Sequence, residues 1–239
     1  MTNHNLLLIT GESTTGKSAS LKDLKDPQNV WYGNCENNKE LPFKSEFREM
    51  KVTDPLKLPG YLTKAEESEN IHTAVIDTIT YLMEMYETQI VNTAPNKMAA
   101  WGKYGDYFRD LMNLNVAEMT KNVIMLGHTA DIPNEKTGEI KTKVKVKGAL
   151  MNQGIESRFT NVISTKLVTL KSLEGFENDL LNITEDDEVL GFKYVFQTRI
   201  TKDTVHEAIR GPMGLWERNE TFIDNNAQNV LDRLHAFYN

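Results

Sequence analysis

Asn5-Leu6-Leu7-Leu8-Ile9-Thr10-Gly11-Glu12-Ser13-Thr14-Thr15-Gly16-Lys17-Ser18 is the stretch that decides the fold of this chain. An apolar run meets Gly11, an irregular Gly/Ser/Thr stretch follows, and Lys17-Ser18-Ala19-Ser20-Leu21 opens a new element, so the segment reads strand, loop, helix. Gly11 to Ser18 also fits G-x-x-x-x-G-K-[ST], placed between the strand and helix that give the pattern physical meaning. The glycines allow backbone angles that turn several N–H groups inward, and the helix start aims a positive dipole end at the same space. That chemistry cradles phosphates. Gly11, Glu12, Ser13, Thr14, Thr15, Gly16, Lys17, Ser18 and Ser20 are the candidates for holding ATP, with Lys17 reaching the β/γ-phosphates and the Ser18 hydroxyl ligating Mg²⁺. The competing reading, an ordinary glycine-containing turn, requires a coincidence found in on the order of one chain in a hundred.

Outward from this loop, the pattern alternates. Pro27 ends the first helix early, and Val30-Trp31-Tyr32 begins a second strand. Phe47–Val52 reads as a further strand, Leu62–Ser68 as helix and Ile71–Ile76 as a buried strand. Thr80 to Thr120 predicts two helices, broken near Pro95 and again at Trp101-Gly102-Lys103-Tyr104-Gly105, the second with Phe108, Leu111, Met112 and Leu114 inward. Asn122–Gly127 is a fourth buried strand, and a polar hairpin-like stretch runs from Asp131 to Lys147. Val162–Leu170, Phe192–Ile200 and Val205–Ile209 then read as strands, Glu185–Glu188 as an exposed loop and Asn226–Phe237 as a closing helix. The expected class is α/β, a mainly parallel central sheet extended by antiparallel C-terminal strands. One domain over 1–239 is expected, with a nucleotide-binding part at 1–130, a loop region at 131–160 and a β-rich part with its helix at 161–239.

A phosphate loop needs an acid at a nearby strand end to hold magnesium through water. Ala74-Val75-Ile76-Asp77-Thr78 supplies Asp77 at the carboxyl edge of the sheet, where the loop also lies. By itself an Asp there is commonly a helix N-cap. Glu36, ending the second strand, is placed to activate a water for attack on the γ-phosphate, or is a loop acid with Glu40 in reserve. His128, ending Met125-Leu126-Gly127, is placed to sense that phosphate, or is a structural hydrogen bonder.

The loop from Gly11 to Ser18, Ile76-Asp77-Thr78, Glu36 and His128 together resemble the ATPase core of the RecA family. Specifically, the chain resembles the compact phage-encoded RecA-like ATPases that act as single-strand annealing proteins, and the resemblance covers most of it. It implies that Lys17, Glu36, Asp77 and His128 carry catalysis, that Glu36 activates water and that His128 couples nucleotide to DNA. It also implies that the loop after His128 contacts single-stranded DNA. Only ten residues precede Gly11, which leaves no room for a separate N-terminal domain or polymerisation arm. Annealing, or assistance to a single-strand-binding protein, is therefore expected rather than autonomous strand exchange.

Lys141-Thr142-Lys143-Val144-Lys145-Val146-Lys147 lies where that DNA-binding loop belongs, after the turn-like Asn134-Glu135-Lys136-Thr137-Gly138. Strand alternation puts Lys141, Lys143, Lys145 and Lys147 on one face, a cationic comb suited to phosphates. Lysines also guard exposed strand edges against aggregation, and that reading stands beside it. Trp101, Tyr104, Tyr107 and Phe108 offer stacking rings, Tyr104 foremost, unless they fill the core. Thr198–Thr204 resembles the β-hairpin that completes a neighbour's active site in RecA-like assemblies, which makes Arg199 and Lys202 trans-acting candidates and implies a homo-oligomer. Charges on an exposed hairpin otherwise only solvate it.

The chain has 239 residues, with 27 Lys plus Arg against 34 Asp plus Glu and a net charge of -7. This acidic balance excludes coating of nucleic acid by global charge and requires any nucleic-acid site to be a local patch. No apolar run approaches the roughly 20 residues of a membrane span, and membrane insertion is not expected. One cysteine and no secretion signal predict a reducing compartment, the cytoplasm, that of a host cell if the chain is phage-encoded. Two other classes use the same loop. A nucleotide or small-molecule kinase would need a second substrate pocket and a basic lid, and a nucleotide-dependent switch module would turn over slowly and ignore DNA.

Overall fold

The four residues Leu6 to Ile9 are buried because their side chains divide between two cores. Leu6 and Leu8 enter one cluster with Ala74, Ile76, Val123 and Met125. Leu7 and Ile9 enter the other with Val75, Ile124 and Leu126. Alternating side chains on strands covered on both faces demand this division, and it explains why the sequence runs apolar without a break.

A computed structural model describes residues 3–37, 39–133 and 138–238. The strands are β1 (Leu6–Gly11), β2 (Val30–Asn34), β3 (Arg48–Lys51), β4 (Thr73–Asp77), β5 (Asn122–Pro133), β6 (Ile140–Val144), β7 (Asn161–Thr169), β8 (Phe192–Gln197) and β9 (Phe222–Asp224). The α-helices are α1 (Leu58–Glu67), α2 (Ile79–Tyr86), α3 (Lys97–Asp110), α4 (Ala149–Gln153), α5 (Glu185–Leu190) and α6 (Ala227–Tyr238). The sheet order is β3-β2-β4-β5-β1-β7-β8-β9, with β6 on the extension of β5. β3 to β7 along this order pair in parallel, and β8 and β9 add antiparallel. This is the expected α/β class, with one strand between the loop-bearing β1 and the acid-bearing β4. Helices α1, α2 and α3 cover one face. Helix α6 and the turn holding Leu21 and Leu24 cover the other.

Register sets the site. Gly11 lies opposite His128 across β1 and β5, and Asp77 lies opposite Asn34 across β4 and β2, so the strand ends finish level at one edge. No helix among the described residues is long and apolar enough to cross a membrane.

Several expectations are corrected. The element after the phosphate loop is one 3₁₀ turn, Ser18–Leu21, because Asp26 at φ 45° and Pro27 turn the chain away at once. Helix α3 runs through Gly102 and Gly105 without a break, since neither lacks room and the flanking residues favour helix. A π-helical turn at Leu111–Val116 then shifts the register, which leaves Leu114 exposed while Leu111 and Met112 stay inward. Glu185–Glu188 is the first turn of α5, nucleated by a capping box between Thr184 and Asp187. Val205–Ile209 is no strand. β9 has taken the free edge of β8, and this segment keeps only single bridges, Glu207 to Thr142 and Arg210 to Val162. Thr198–Thr204 is a closed turn rather than a β-hairpin, because the Gln197 amide donates to both Arg199 O and Thr204 Oγ1. The turn-like Asn134–Thr137 lies outside the described residues.

A Cβ added at Gly102 or Gly105 meets nothing within 4 Å. Each Gly→Ala substitution should therefore raise stability by about 1 kcal/mol, the ordinary helix-interior difference. Urea unfolding measures this, and a lowered midpoint would contradict the uninterrupted helix.

Candidate functional site

A cavity of about 490 Å³ opens at the carboxyl edge, and its wall includes Ser13, Thr14, Gly16, Lys17, Ser18, Glu36, Asp77 and His128. Elements far apart in sequence meet here because parallel strands all discharge their polar ends on one side. The loop is shaped by its own backbone. Gly16 sits at φ 95°, a left-handed angle, and Thr14 adopts φ 67°. Thr15 Oγ1 donates to Glu12 O at 2.9 Å. The Lys17 ammonium curls inward and donates to Gly11 O at 3.0 Å and Glu12 O at 2.5 Å. Only 5% of Lys17 is exposed, and burial lowers its pKa to about 8.

Asp77 is 1% exposed. Its Oδ2 accepts from Ser18 Oγ at 2.8 Å and from Tyr32 Oη at 2.9 Å, and the peptide bond to Thr78 is cis. Its Oδ1 is buried with no hydrogen-bond partner among the described residues. Burial, and secondarily the charge of Glu36, push its carboxyl above the usual range. A hydroxyl and a buried carboxylate with a spare lone pair are hard oxygen donors, so Ser18 and Asp77 fit Mg²⁺. No cluster of three His, Cys, Asp or Glu able to hold a metal occurs among the described residues. A magnesium ion bound with nucleotide needs none, since phosphates and water complete its shell.

Glu36 is 8% exposed and held at both oxygens. Oε1 is 3.1 Å from His128 Nε2, and Oε2 accepts from Lys39 Nζ at 3.1 Å. Burial alone would raise its pKa, but the hydrogen bonds from His128 and Lys39 outweigh it and hold the carboxyl below its ordinary value. The His128 ring stands edge-on to Tyr81 with centroids 5.7 Å apart, and its backbone N–H donates to Thr80 Oγ1.

Other candidates fall elsewhere. Ser20 is buried at 1% and its hydroxyl is spent on Lys17 O, so it lines no wall of the cavity. Gly11, Glu12 and Thr15 face a neighbouring hollow shared with Thr165, Lys166 and Glu207. Glu40 does line the cavity. The comb alternates as its sequence dictates: Val144 and Val146 are buried while Lys141, Lys145 and Lys147 are exposed. Strand β6 ends at Val144, however, and Lys147 pairs with Glu87 at 2.8 Å. Tyr104 is corrected as a stacking ring: it is 1% exposed, packed edge-on against Tyr86 and Trp101, with its hydroxyl accepting from Lys147 N. Aromatics at helical spacing fill the core here. Arg199 folds back to donate to Trp216 O at 2.7 Å, and Lys202 is exposed; neither lines the cavity of its own chain.

Sequence reasoning misses part of the wall, including Lys22 and Asp23. Tyr32, Lys39, Tyr194 and Asn225 all line the cavity. Asn225 Nδ2 donates to Gly16 O at 2.9 Å across 209 residues, and a Cβ at Gly16 would fall 2.6 Å from that nitrogen. Only Tyr32, one of the polar groups on an apolar strand, carried a signal, since strand alternation gives it a face.

A family model described as an AAA domain matches residues 3–168, more than half of the chain. The chain belongs to the AAA domain family. The match ends at β7, so the AAA domain model spans the phosphate loop, Glu36, Asp77, His128 and the comb but not Tyr194 or Asn225. Among solved structures, the chain is similar to a KaiC-like protein from the archaeon Pyrococcus horikoshii OT3, at 15% identity over 85% of this chain and 82% of that one, with a TM-score of 0.47. It is also similar to the flagellar accessory protein FlaH from Methanocaldococcus jannaschii, at 15% identity over 82% and 78%, with a TM-score of 0.36. No curated protein matches the chain.

Lys17 gives the site a pH signature. A lysine whose folded pKa lies near 8 against 10.5 unfolded binds fewer protons when folded, so its burden on stability lifts as pH rises through that interval. Relative to Lys17→Met, the wild type should gain on the order of 3 kcal/mol between pH 7 and 11, read by chemical denaturation at each pH. Parallel pH profiles for the two proteins would contradict the buried-ammonium geometry.

Proposed function

We propose that this AAA domain is a Mg²⁺-dependent ATPase whose turnover is coupled to single-stranded DNA, acting in annealing or recombination in a phage-like replication system. The convergence of Lys17, Ser18, Asp77, Glu36 and His128 on one cavity carries the reading. On binding, the triphosphate takes the inward N–H groups of the loop and replaces Gly11 O and Glu12 O as the partner of Lys17. Ser18 and Asp77 hold Mg²⁺, which supplies charge neutralisation on the phosphates when bound. Tyr32 fixes the Asp77 carboxylate through Oδ2 and leaves Oδ1 available. Glu36 accepts a proton from the attacking water, and His128, bonded to Glu36 at one end of its ring, registers whether the terminal phosphate is present.

The DNA half of the proposal is supported by how the comb is attached. Lys145 N–H donates to His128 O at 2.8 Å, directly beyond the residue facing the cavity. A strand held on Lys141, Lys143 and Lys145 therefore pulls on the same backbone that carries His128. Among the described residues, Lys141 and Lys145 have no ion pair and are open to phosphates. The reading extends to a homo-oligomer in the cytoplasm, with Arg199 or Lys202 reaching a neighbour's site and a single-strand-binding protein as the companion.

Hydrolysis of ATP by the purified protein, with and without single-stranded DNA, is the deciding assay. Lys17→Ala should abolish turnover with the fold intact, and DNA should stimulate the wild type. Turnover indifferent to DNA would move the reading to a switch module, and phosphate transfer to a nucleoside monophosphate would make it a kinase. Neutralising Lys141, Lys143, Lys145 and Lys147 together should weaken DNA binding and flatten its salt dependence by up to about 3 in log–log slope. Binding unchanged by that substitution would return the comb to edge protection.

A further inference from the structure

A general base works best when its charge is not already shared with donors, yet each oxygen of Glu36 accepts a hydrogen bond, one from His128 and one from the Lys39 ammonium. This geometry weakens Glu36 as a base. The two restraints differ in kind. His128 is 20% exposed, sits on β5 opposite Gly11, and is braced by Tyr81 and by Thr80. The Lys39 side chain is 69% exposed, stands three residues after Glu36 on the loop leaving β2, and reaches its partner on a long flexible stem. Of the two partners, Lys39 is the one free to leave.

Its surroundings give it a destination. Lys39 lines the same cavity as Lys17 and Asp77. Its charge reaches both of them: burial is what chiefly lowers Lys17, with Lys39 adding to it, and Lys39 is itself drawn by Glu36 first and by Asp77 as well. The cavity wall carries four carboxylates against three lysines, so a triphosphate entering it meets a deficit of positive charge. A terminal phosphate is a stronger attractor for an ammonium than one shared carboxylate, being more highly charged and richer in acceptors. Within this chain Arg199 donates to Trp216 O and does not line the cavity.

We infer that Lys39 is a phosphate-responsive cation acting in cis: the terminal phosphate of a nucleoside triphosphate draws its ammonium off Glu36, adding positive charge at the phosphate and making Glu36 the stronger base toward the attacking water. The inference rests on the nucleotide reading above and adds to it a residue that distinguishes triphosphate from diphosphate. ADP has no terminal phosphate to draw Lys39 across, so Glu36 stays tied after hydrolysis and the site resets itself.

Calorimetric titration of the full chain with Mg²⁺–ADP and with a non-hydrolysable Mg²⁺–ATP analogue tests this. Lys39→Met should weaken binding of the ATP analogue on the order of tenfold, while ADP affinity stays within twofold of wild type. Lys39→Arg, which keeps the charge, should restore most of the preference. Glu36→Gln releases Lys39 beforehand, so it should tighten the ATP analogue and leave ADP unchanged. Lys39→Met with both affinities as in wild type, or with both weakened equally, overturns the inference while leaving the nucleotide site standing. A wild type that binds neither nucleotide, or that binds them equally with Lys17→Ala, overturns the nucleotide reading as well.

Discussion

Strands buried on both faces have nowhere to put polar groups except their ends. Leu6–Ile9 of β1, Ala74–Ile76 of β4 and Val123–Leu126 of β5 are apolar because α1, α2 and α3 close one face of the sheet and α6 the other. Each reaches its first strongly polar position at the same edge: Gly11 and the loop beyond it, Asp77, and His128. The site is thus a product of burial before it is a product of chemistry. Parallel pairing makes the arrangement cumulative, since every strand running the same way delivers its end to the same edge.

That constraint also accounts for what a reading of the sequence can recover. Lys17 is legible from the spacing of the loop motif, and Asp77, Glu36 and His128 because each lies at the polar end of a strand-like run, which marks the sheet's edge whatever its neighbours are. The alternation of the lysine comb is legible for the related reason that Val144 and Val146 have a core to enter. Lys39 is not legible, because its importance lies in one hydrogen bond across a loop and no periodicity marks it. Asn225 is further still from view, joined to Gly16 by a contact between opposite ends of the chain.

The misread elements share a cause as well. Gly102 and Gly105 suggest a break in α3, but propensity is a local preference, and the helix is held by Tyr104 and Phe108 in the core on either side. Val205–Ile209 has strand composition but makes only the single bridge from Glu207 to Thr142 of β6, while β9 pairs with the edge of β8. Glu185–Glu188 looks like a solvated loop until Thr184 caps it and Lys193 draws in Asp187 at 2.9 Å. In each case the deciding contact is made with a residue outside the segment being read.

The bond from Asn225 to Gly16 O, with Tyr194 beside it, means that the phosphate loop is propped by a residue 209 positions further along the sequence. Tyr194 lies on β8 and Asn225 directly follows β9, so the loop gains this support only when the antiparallel extension has docked against the parallel part of the sheet. Nucleotide affinity becomes a report that the two parts of the sheet have come together, with the turn after β9 acting as the clasp.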